Sequence, residues 1–363
     1  MAAVASAGWT AALLLLLITT RASLAMRDSA ARLVQTVADL PAPTLVVVTY
    51  ALLLTLLVDV AGLPFAFYSG FLMERRYGLL NQTLGGWIAD RLKGVVLALV
   101  LGAGAAAILY AVIRQSPDDW WLPAGLAFGA VVVALANLGP VLLLPIFYSL
   151  RPLDRPTLRA RLMALAGRVG IATLDVYEWG LGEKTRKANA ALTGLGGTRR
   201  ILVSDTMLAE YSDDEIEVVL AHELAHHVHR DIWRGLLLEG VLILAGFYAA
   251  AWLLRATEGW AGLSGPDDVA GLPLAILAAG AVSLGTLPVA HAISRAHERR
   301  ADRVALELTR HPSAFVTAMR RLAAQNLAEE HPSRLVEWLF HSHPPMRERV
   351  AAAEGFARLQ KSG

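Results

Sequence analysis

The segment His222-Glu223-Leu224-Ala225-His226 holds the residues of this 363-residue chain whose types and spacing indicate chemistry most clearly. Residues four apart share one face of an α-helix, so the two imidazoles can bind the same zinc ion. The carboxylate between them can take a proton from water, whose pKa zinc lowers to about 7. The pattern predicts a zinc-dependent hydrolase; the alternative is a helix with solvent-facing histidines and no metal.

A catalytic zinc site also needs a third protein ligand and one open position for water. The chain contains no cysteine, so this ligand must be a histidine, an aspartate or a glutamate. Glu298 is the favoured candidate, and Asp302 shares its helix face and can orient a ligand histidine. His297 is a competing ligand, and a surface helix with acid–arginine pairs would explain the same residues without a metal.

The helix that must present the two histidines has a clear start. Ser212 and Glu215, three residues apart, form the pattern of a capping box. An apolar stripe at helical spacing follows and predicts the buried face; its members are Ile216, Val219, Leu220 and Leu224.

Composition indicates a membrane protein. Hydrophobic residues make up 55% of the chain and charged residues only 18%, which excludes disorder. The net charge of +2 gives no reason to expect a nucleic-acid partner. A helix needs about 20 apolar residues to span a bilayer. The segments that satisfy this are Thr44–Leu63, Gly94–Ile113, Leu122–Tyr148, Gly235–Leu254 and Val269–Ala292.

A sixth apolar segment, Gly8–Thr20, is either a retained first span or a signal peptide. No Lys or Arg precedes it, which favours the retained span. Basic residues concentrate in Met73–Lys93, Arg151–Arg234 and Arg295–Gly363, and the positive-inside rule assigns these segments to the cytoplasm. We therefore expect six spans, with both termini and the zinc site on the cytoplasmic side.

Two carboxylates fall inside predicted spans, Asp59 and Glu239. Burying a charge in lipid is costly, so a functional role has to be considered for both. We expect instead that they face water or pair within the bundle, and no specific role is predicted.

The predicted fold class is an all-α membrane protein with a small β-hairpin or sheet. Residues 1–150 are expected to form a membrane domain of about four spans. Residues 151–363 are expected to form a metallopeptidase domain, interrupted by a transmembrane hairpin at about 235–292. Within this domain, Leu158–Val169 is predicted to form an amphipathic helix. Asn189–Thr193 and Ile201–Val203 are predicted to form a two-stranded hairpin.

The pairing of the histidine motif with Glu298-x-x-x-Asp302 resembles the type I CAAX prenyl endopeptidase family of integral-membrane zinc metalloproteases. Several other segments are similar to that family and extend the likeness over most of the chain. They are Leu63–Tyr68, Tyr77–Thr83, Pro145–Phe147, Arg200–Val203 and His343-Pro344-Pro345 with Glu348-Arg349.

The resemblance implies a helical chamber that encloses the active site, with one zinc ion per chain. It implies that His222, His226 and Glu298 are the ligands and that Glu223 is the general base. It further implies that Asp302 and Arg349 support the site, and that Asn189 and His343 hold the substrate and stabilise the oxyanion. The strand residues Asn189, Ala190, Ala191 and Leu192 would pair with an extended peptide.

Other functions stay open at this stage. A heat-shock-type membrane quality-control metalloprotease shares the zinc motif but resembles this chain less over Leu63–Asp90. A di-iron lipid desaturase or hydroxylase would use His222-x-x-x-His226-His227 as one histidine box. Such an enzyme needs several histidine boxes, and the remaining histidines of this chain do not have the required spacing. A transporter or a non-catalytic membrane scaffold is the remaining class.

The natural substrate is a peptide or protein, with prenylation undecided. Only four of the 33 basic residues are lysine, which suggests a GC-rich bacterial genome. In a bacterium, unmodified membrane or secreted peptides would be favoured over prenylated proteins.

Overall fold

The computed structural model describes residues 2–37, 42–194, 196–327 and 332–362. Fifteen α-helices and four β-strands lie in these ranges. The helices are α1 (Ala2–Thr19), α2 (Ala22–Gln35), α3 (Pro43–Phe67), α4 (Glu74–Arg76), α5 (Leu84–Gln115), α6 (Trp121–Leu142), α7 (Leu144–Phe147), α8 (Pro156–Arg168), α9 (Asp205–Glu210), α10 (Asp213–Val228), α11 (Asp231–Ala261), α12 (Leu272–Thr309), α13 (Pro312–Gln325), α14 (Arg334–Phe340) and α15 (Met346–Ser362). The strands are β1 (Leu150–Pro152), β2 (Val176–Trp179), β3 (Ala190–Thr193) and β4 (Arg200–Ser204).

The chain forms two compact units that interleave along the sequence. The first, here called the helical unit, consists of Met1–Glu74, Thr83–Val132 and Leu237–Gly285. The second, the mixed unit, consists of Arg75–Gln82, Val133–Leu236 and Thr286–Gly363.

Five helical segments among the described residues are long and apolar enough to cross a bilayer, and a sixth span results if the bent pair α1–α2 counts as one. The five segments contain α3, α5, α6, α11 and α12, which confirms the predicted membrane helices. The segment predicted to reach Tyr148 is shorter, because α6 ends at Leu142 just after Pro140. A proline ring inside a helix removes one hydrogen bond and clashes with the preceding turn.

A buried polar cluster joins the segments at one end of the helical unit. The Ser23 hydroxyl lies 2.6 Å from the Tyr50 hydroxyl and donates to the Ala270 carbonyl at 2.6 Å. Arg27 donates to the carboxylate of Asp268, also at 2.6 Å. The start of α2, the first half of α3 and the α11–α12 connection therefore share this end.

The helical unit contains a partly open cavity of about 1000 Å³. Its wall is largely apolar, and it includes Asp59, Arg91 and Glu239. Asp59 forms an ion pair with Arg91, so the charge of this carboxylate is compensated within the bundle. A helical chamber is thus consistent with this part of the fold.

The mixed unit contains a four-stranded sheet in the order β1-β2-β4-β3. β3 pairs antiparallel with β4, as the predicted hairpin requires, and β3 is an end strand of this sheet. β2 runs parallel to β4 and β1 antiparallel to β2. Neither was predicted, because strands of three and four residues carry little alternation and β1 contains Pro152.

The core of the mixed unit fixes α10 from one side. Ile216 and Leu220 on α10 are completely buried, together with Leu158 and Leu162 of α8 and Phe315 of α13. Burying a leucine side chain contributes about 1.5–3 kcal/mol. The amphipathic helix predicted over Leu158–Val169 is α8, and its apolar stripe faces this core.

Replacing Leu220 by Ala is expected to lower the free energy of unfolding of the mixed unit by about 2–5 kcal/mol, because it leaves a cavity beneath α10. Denaturant unfolding of the purified protein in detergent measures this change. Leu174 is 56% exposed, and the same substitution there should change stability by no more than about 0.5 kcal/mol. Equal effects of the two substitutions would contradict the proposed packing.

Candidate active site

The helix that carries the histidine motif begins as predicted. The Ser212 hydroxyl accepts a hydrogen bond from the Glu215 amide at 3.3 Å, and the Glu215 carboxylate accepts one from the Ser212 amide at 2.8 Å. This reciprocal capping box satisfies two amides that the helix leaves unpaired. With the apolar stripe buried, α10 presents His222 and His226 on its other side.

Three side chains from α10 and α12 converge on one point. Nε2 of His222 lies 3.2 Å from Oε2 of Glu298, and Nε2 of His226 lies 3.3 Å from Oε1 of the same carboxylate. Ligand atoms of all three residues lie within 4.8 Å of one another. A tetrahedral zinc ion with bonds of about 2.05 Å separates its ligand atoms by about 3.3 Å. The donor set and its spacing therefore fit one ion of this size.

A buried oxygen of the carboxylate also points to an ion. Oε2 of Glu298 is buried and accepts no hydrogen bond from the described residues. Buried carboxylate oxygens are normally hydrogen-bonded or bound to a metal. His297, the competing ligand, is not in this group of three: its Nδ1 lies 3.7 Å from Oδ1 of Asp231 instead. The geometry thus favours Glu298 as the third ligand.

An aspartate and an arginine hold the first histidine in place. Oδ1 of Asp302 lies 2.9 Å from Nδ1 of His222, and Arg349 Nε donates to the other oxygen of Asp302 at 2.8 Å. Both Asp302 and the Arg349 side chain are almost fully buried. Burial lowers the pKa of the Arg349 guanidinium, but its bonds to Asp302 outweigh this and raise the pKa. Asp302 and Arg349 therefore contact His222 from the side away from Glu298, where they can orient its imidazole.

The second histidine has a partner that the sequence did not reveal. Nδ1 of His226 lies 3.2 Å from Oδ2 of Asp231, and Arg300 donates a hydrogen bond to the other oxygen of this buried aspartate. The chain reverses at Arg230, whose φ is +56°, and this turn returns Asp231 to His226. The sequence feature that could have identified this partner is the acidic residue at the start of α11, directly after the helix that carries His226.

The electrostatics of the site affect both proton transfer and metal binding. Burial raises the pKa of the Glu223 carboxyl, although both neighbouring histidines lower it. Burial lowers the pKa of His222, but its close contacts with the carboxylates of Asp302 and Glu298 raise that pKa to about 9. A metal ion on Nε2 therefore has to displace a proton from this imidazole, and its affinity falls as pH falls.

The two residues expected to hold the substrate differ in their placement. Nε2 of His343 lies 3.4 Å from Oε2 of Glu298, so this residue reaches the ligand cluster. Asn189 is exposed just before β3, and only its backbone is hydrogen-bonded to Ser204 in the described part of the chain. Nε2 of His227 lies 3.2 Å from the Leu192 carbonyl and links β3 to α10.

Comparison with known proteins agrees with this fold and site. Residues 152–357 match the profile of peptidase family M48, and residues 3–149 match the profile described as CAAX prenyl protease N-terminal, five membrane helices. The chain is therefore a multi-pass membrane zinc metalloendopeptidase. It belongs to peptidase family M48 and is of the CAAX prenyl protease type.

Individual relatives support the same assignment. The chain is 30% identical to the uncharacterised metalloprotease YhfN of Bacillus subtilis (strain 168), over 87% of this chain and 75% of that protein. It is 28% identical to CAAX prenyl protease 1 of Saccharomyces cerevisiae, over 85% and 72% of the two chains. The crystal structure of S. mikatae Ste24p superposes with a TM-score of 0.79 at 23% identity, covering 87% of this chain and 77% of that chain.

Replacing Asp302 by Asn is expected to weaken metal binding by about 10–100-fold, because residues that orient ligand histidines have effects of this size. Competition with a chromogenic chelator measures the affinity. Asp175 pairs with Arg159 at the surface, so Asp175→Asn is the control and should bind metal as the unmodified protein does. Equal affinities of the two variants would remove Asp302 from the site.

Proposed function

We propose that His222, His226 and Glu298 hold one zinc ion and that Glu223 is the general base for peptide hydrolysis. The observation that carries the proposal is the convergence of the two imidazoles and the carboxylate at 3.2 and 3.3 Å. When bound, zinc supplies Lewis acidity that activates water and polarises the scissile carbonyl. Glu223 follows His222 directly on α10, and its carboxylate would take the proton from this water.

Glu223 transfers the proton in two steps. Its carboxylate accepts a proton from the attacking water and then donates it to the leaving amine, which breaks the peptide bond. The raised pKa of this buried carboxyl suits it to hold the proton between the two steps. Two carboxylate–arginine pairs, Asp302–Arg349 and Asp231–Arg300, keep the ligand imidazoles oriented throughout.

Substrate binding is assigned to β3 and His343. β3 is an end strand of the described sheet, so an extended peptide can add to it through backbone hydrogen bonds. The strand residues Asn189, Ala190, Ala191 and Leu192 would make these contacts. His343, 3.4 Å from Glu298, would donate a hydrogen bond to the oxyanion, and Asn189 would support it from the start of the strand.

The remaining assignments rest on the distribution of charge and apolar residues. We assign the zinc site and both termini to the cytoplasmic side and the peptidase domain to residues 151–363. The substrate is a membrane-associated peptide or protein. The heat-shock-type alternative is not favoured by the relatives found.

Replacing Glu223 by Gln is expected to retain zinc and to lower turnover by about 10²–10⁴-fold, because the amide cannot accept the proton. An internally quenched peptide measures cleavage by the purified protein, and elemental analysis measures zinc. Comparing prenylated and unprenylated peptides of one sequence also identifies the substrate class. Unchanged turnover would remove Glu223 from the mechanism.

Replacing Glu298 by Ala is expected to release zinc, because the metal would keep only two protein ligands. His297→Ala is the comparison variant, because His297 is outside the ligand group and reaches it only through Asp231, the partner of His226. Elemental analysis after dialysis should find about one zinc per chain in this comparison variant. Full zinc retention by Glu298→Ala, or zinc loss confined to His297→Ala, would contradict the ligand set.

A further inference from the structure

Helix α14 carries an exposed apolar surface in the mixed unit. Leu335 is 63% exposed, Trp338 50% and Phe340 51%. Leu335 and Trp338 are three residues apart and share one face of this seven-residue helix, whereas Phe340 lies on another side at its end. A group of large exposed apolar residues indicates an interaction site, for a protein or for a membrane.

α14 is firmly attached to α12 despite its exposed side chains. Nδ1 of His291 lies 2.8 Å from the Leu339 carbonyl. Arg295, which is buried, donates to the Glu337 carbonyl at 3.0 Å and to the His341 carbonyl at 2.7 Å. Helix-terminal carbonyls need such donors, and a cation there is favoured by the helix dipole. The exposed residues are therefore held in one place by a satisfied, buried contact.

The attachment lies where α12 changes from apolar to charged. Residues Leu272–Ser294 contain no Asp, Glu, Lys or Arg, and Arg295 is the first charged residue of the helix. His291 and Arg295 are about 6 Å apart along the axis. A transmembrane helix leaves the hydrocarbon where its charged residues begin. α14 is thus attached to α12 at the point where the apolar residues of α12 end.

We propose that α14 lies in the membrane–water interface and inserts Leu335 and Trp338, which share one helix face, into the bilayer. Tryptophan prefers the interface, where its ring is buried and its N–H remains hydrated. Arg334 at the start of the helix can extend its guanidinium to the headgroups. The proposal does not depend on the peptidase assignment, because it rests on the position and exposure of α14 alone.

Membrane contact at α14 also bears on the candidate site. Two residues separate Phe340 from His343, whose Nε2 lies 3.4 Å from Glu298. An anchored α14 therefore restrains the segment that carries His343. A bilayer would help to position this side chain beside the metal ligands.

The chain contains no cysteine, so a nitroxide can be attached at one chosen site of the full-length protein. Leu335→Cys and Trp338→Cys are labelled in phosphatidylcholine nanodiscs, with Leu174→Cys as the exposed control in a loop of the mixed unit. Electron paramagnetic resonance then measures collisions with oxygen, which concentrates in lipid, and with a water-soluble nickel chelate. Wild-type metal content establishes that each labelled protein is folded.

We expect the ratio of oxygen to nickel collisions to be several-fold larger at positions 335 and 338 than at position 174. Nickel access equal to that at position 174 would overturn the proposal, because it places α14 in water. Low access to both reagents would overturn it as well, since protein would then cover the helix. Dipolar broadening between labels would identify a second copy of the chain as the partner instead.

Discussion

The structure of the site depends on bringing one buried carboxylate against two imidazoles of another helix. Glu298 reaches both Nε2 atoms, at 3.2 and 3.3 Å. Burying a carboxylate is costly unless it is paired or bound to a metal. α10 and α12 can therefore pack this closely only if the negative charge of the Glu298 carboxylate is compensated. A metal ion bound at the shared point would provide that compensation. Each imidazole is further fixed by a carboxylate and an arginine.

α12 combines two environments in one helix. Its first part is apolar to Ser294, and the charged residues of the site follow within eight positions, from Arg295 to Asp302. The same helix can thus cross a bilayer and supply a metal ligand, because helical spacing puts Glu298 and Asp302 on one face. Arg295 lies where α12 changes from apolar to charged, and it donates hydrogen bonds to carbonyls of α14. The proposed membrane contact is therefore attached about one helical turn from the candidate metal ligand Glu298.

Local sequence patterns predicted the parts of the protein that depend on local spacing. The capping box at Ser212, the histidine pair and the Glu298–Asp302 face follow from helix periodicity, and the membrane helices follow from apolar length. Asp231 could not be found in this way, because its contact with His226 depends on the left-handed turn at Arg230. β1 and β2 were missed because their pairing partners are distant in sequence. The substrate-binding roles of Asn189 and His343 stay predictions.

The central claim is that one zinc ion is bound by His222, His226 and Glu298. X-ray absorption at the zinc edge of the purified protein tests it most directly, in parallel for the unmodified chain and for Glu298→Gln. The account predicts one zinc with two imidazole nitrogens and light oxygen ligands, and loss of a carboxylate ligand in the variant. Iron in place of zinc, two metals per chain, or an identical spectrum for the variant would contradict it.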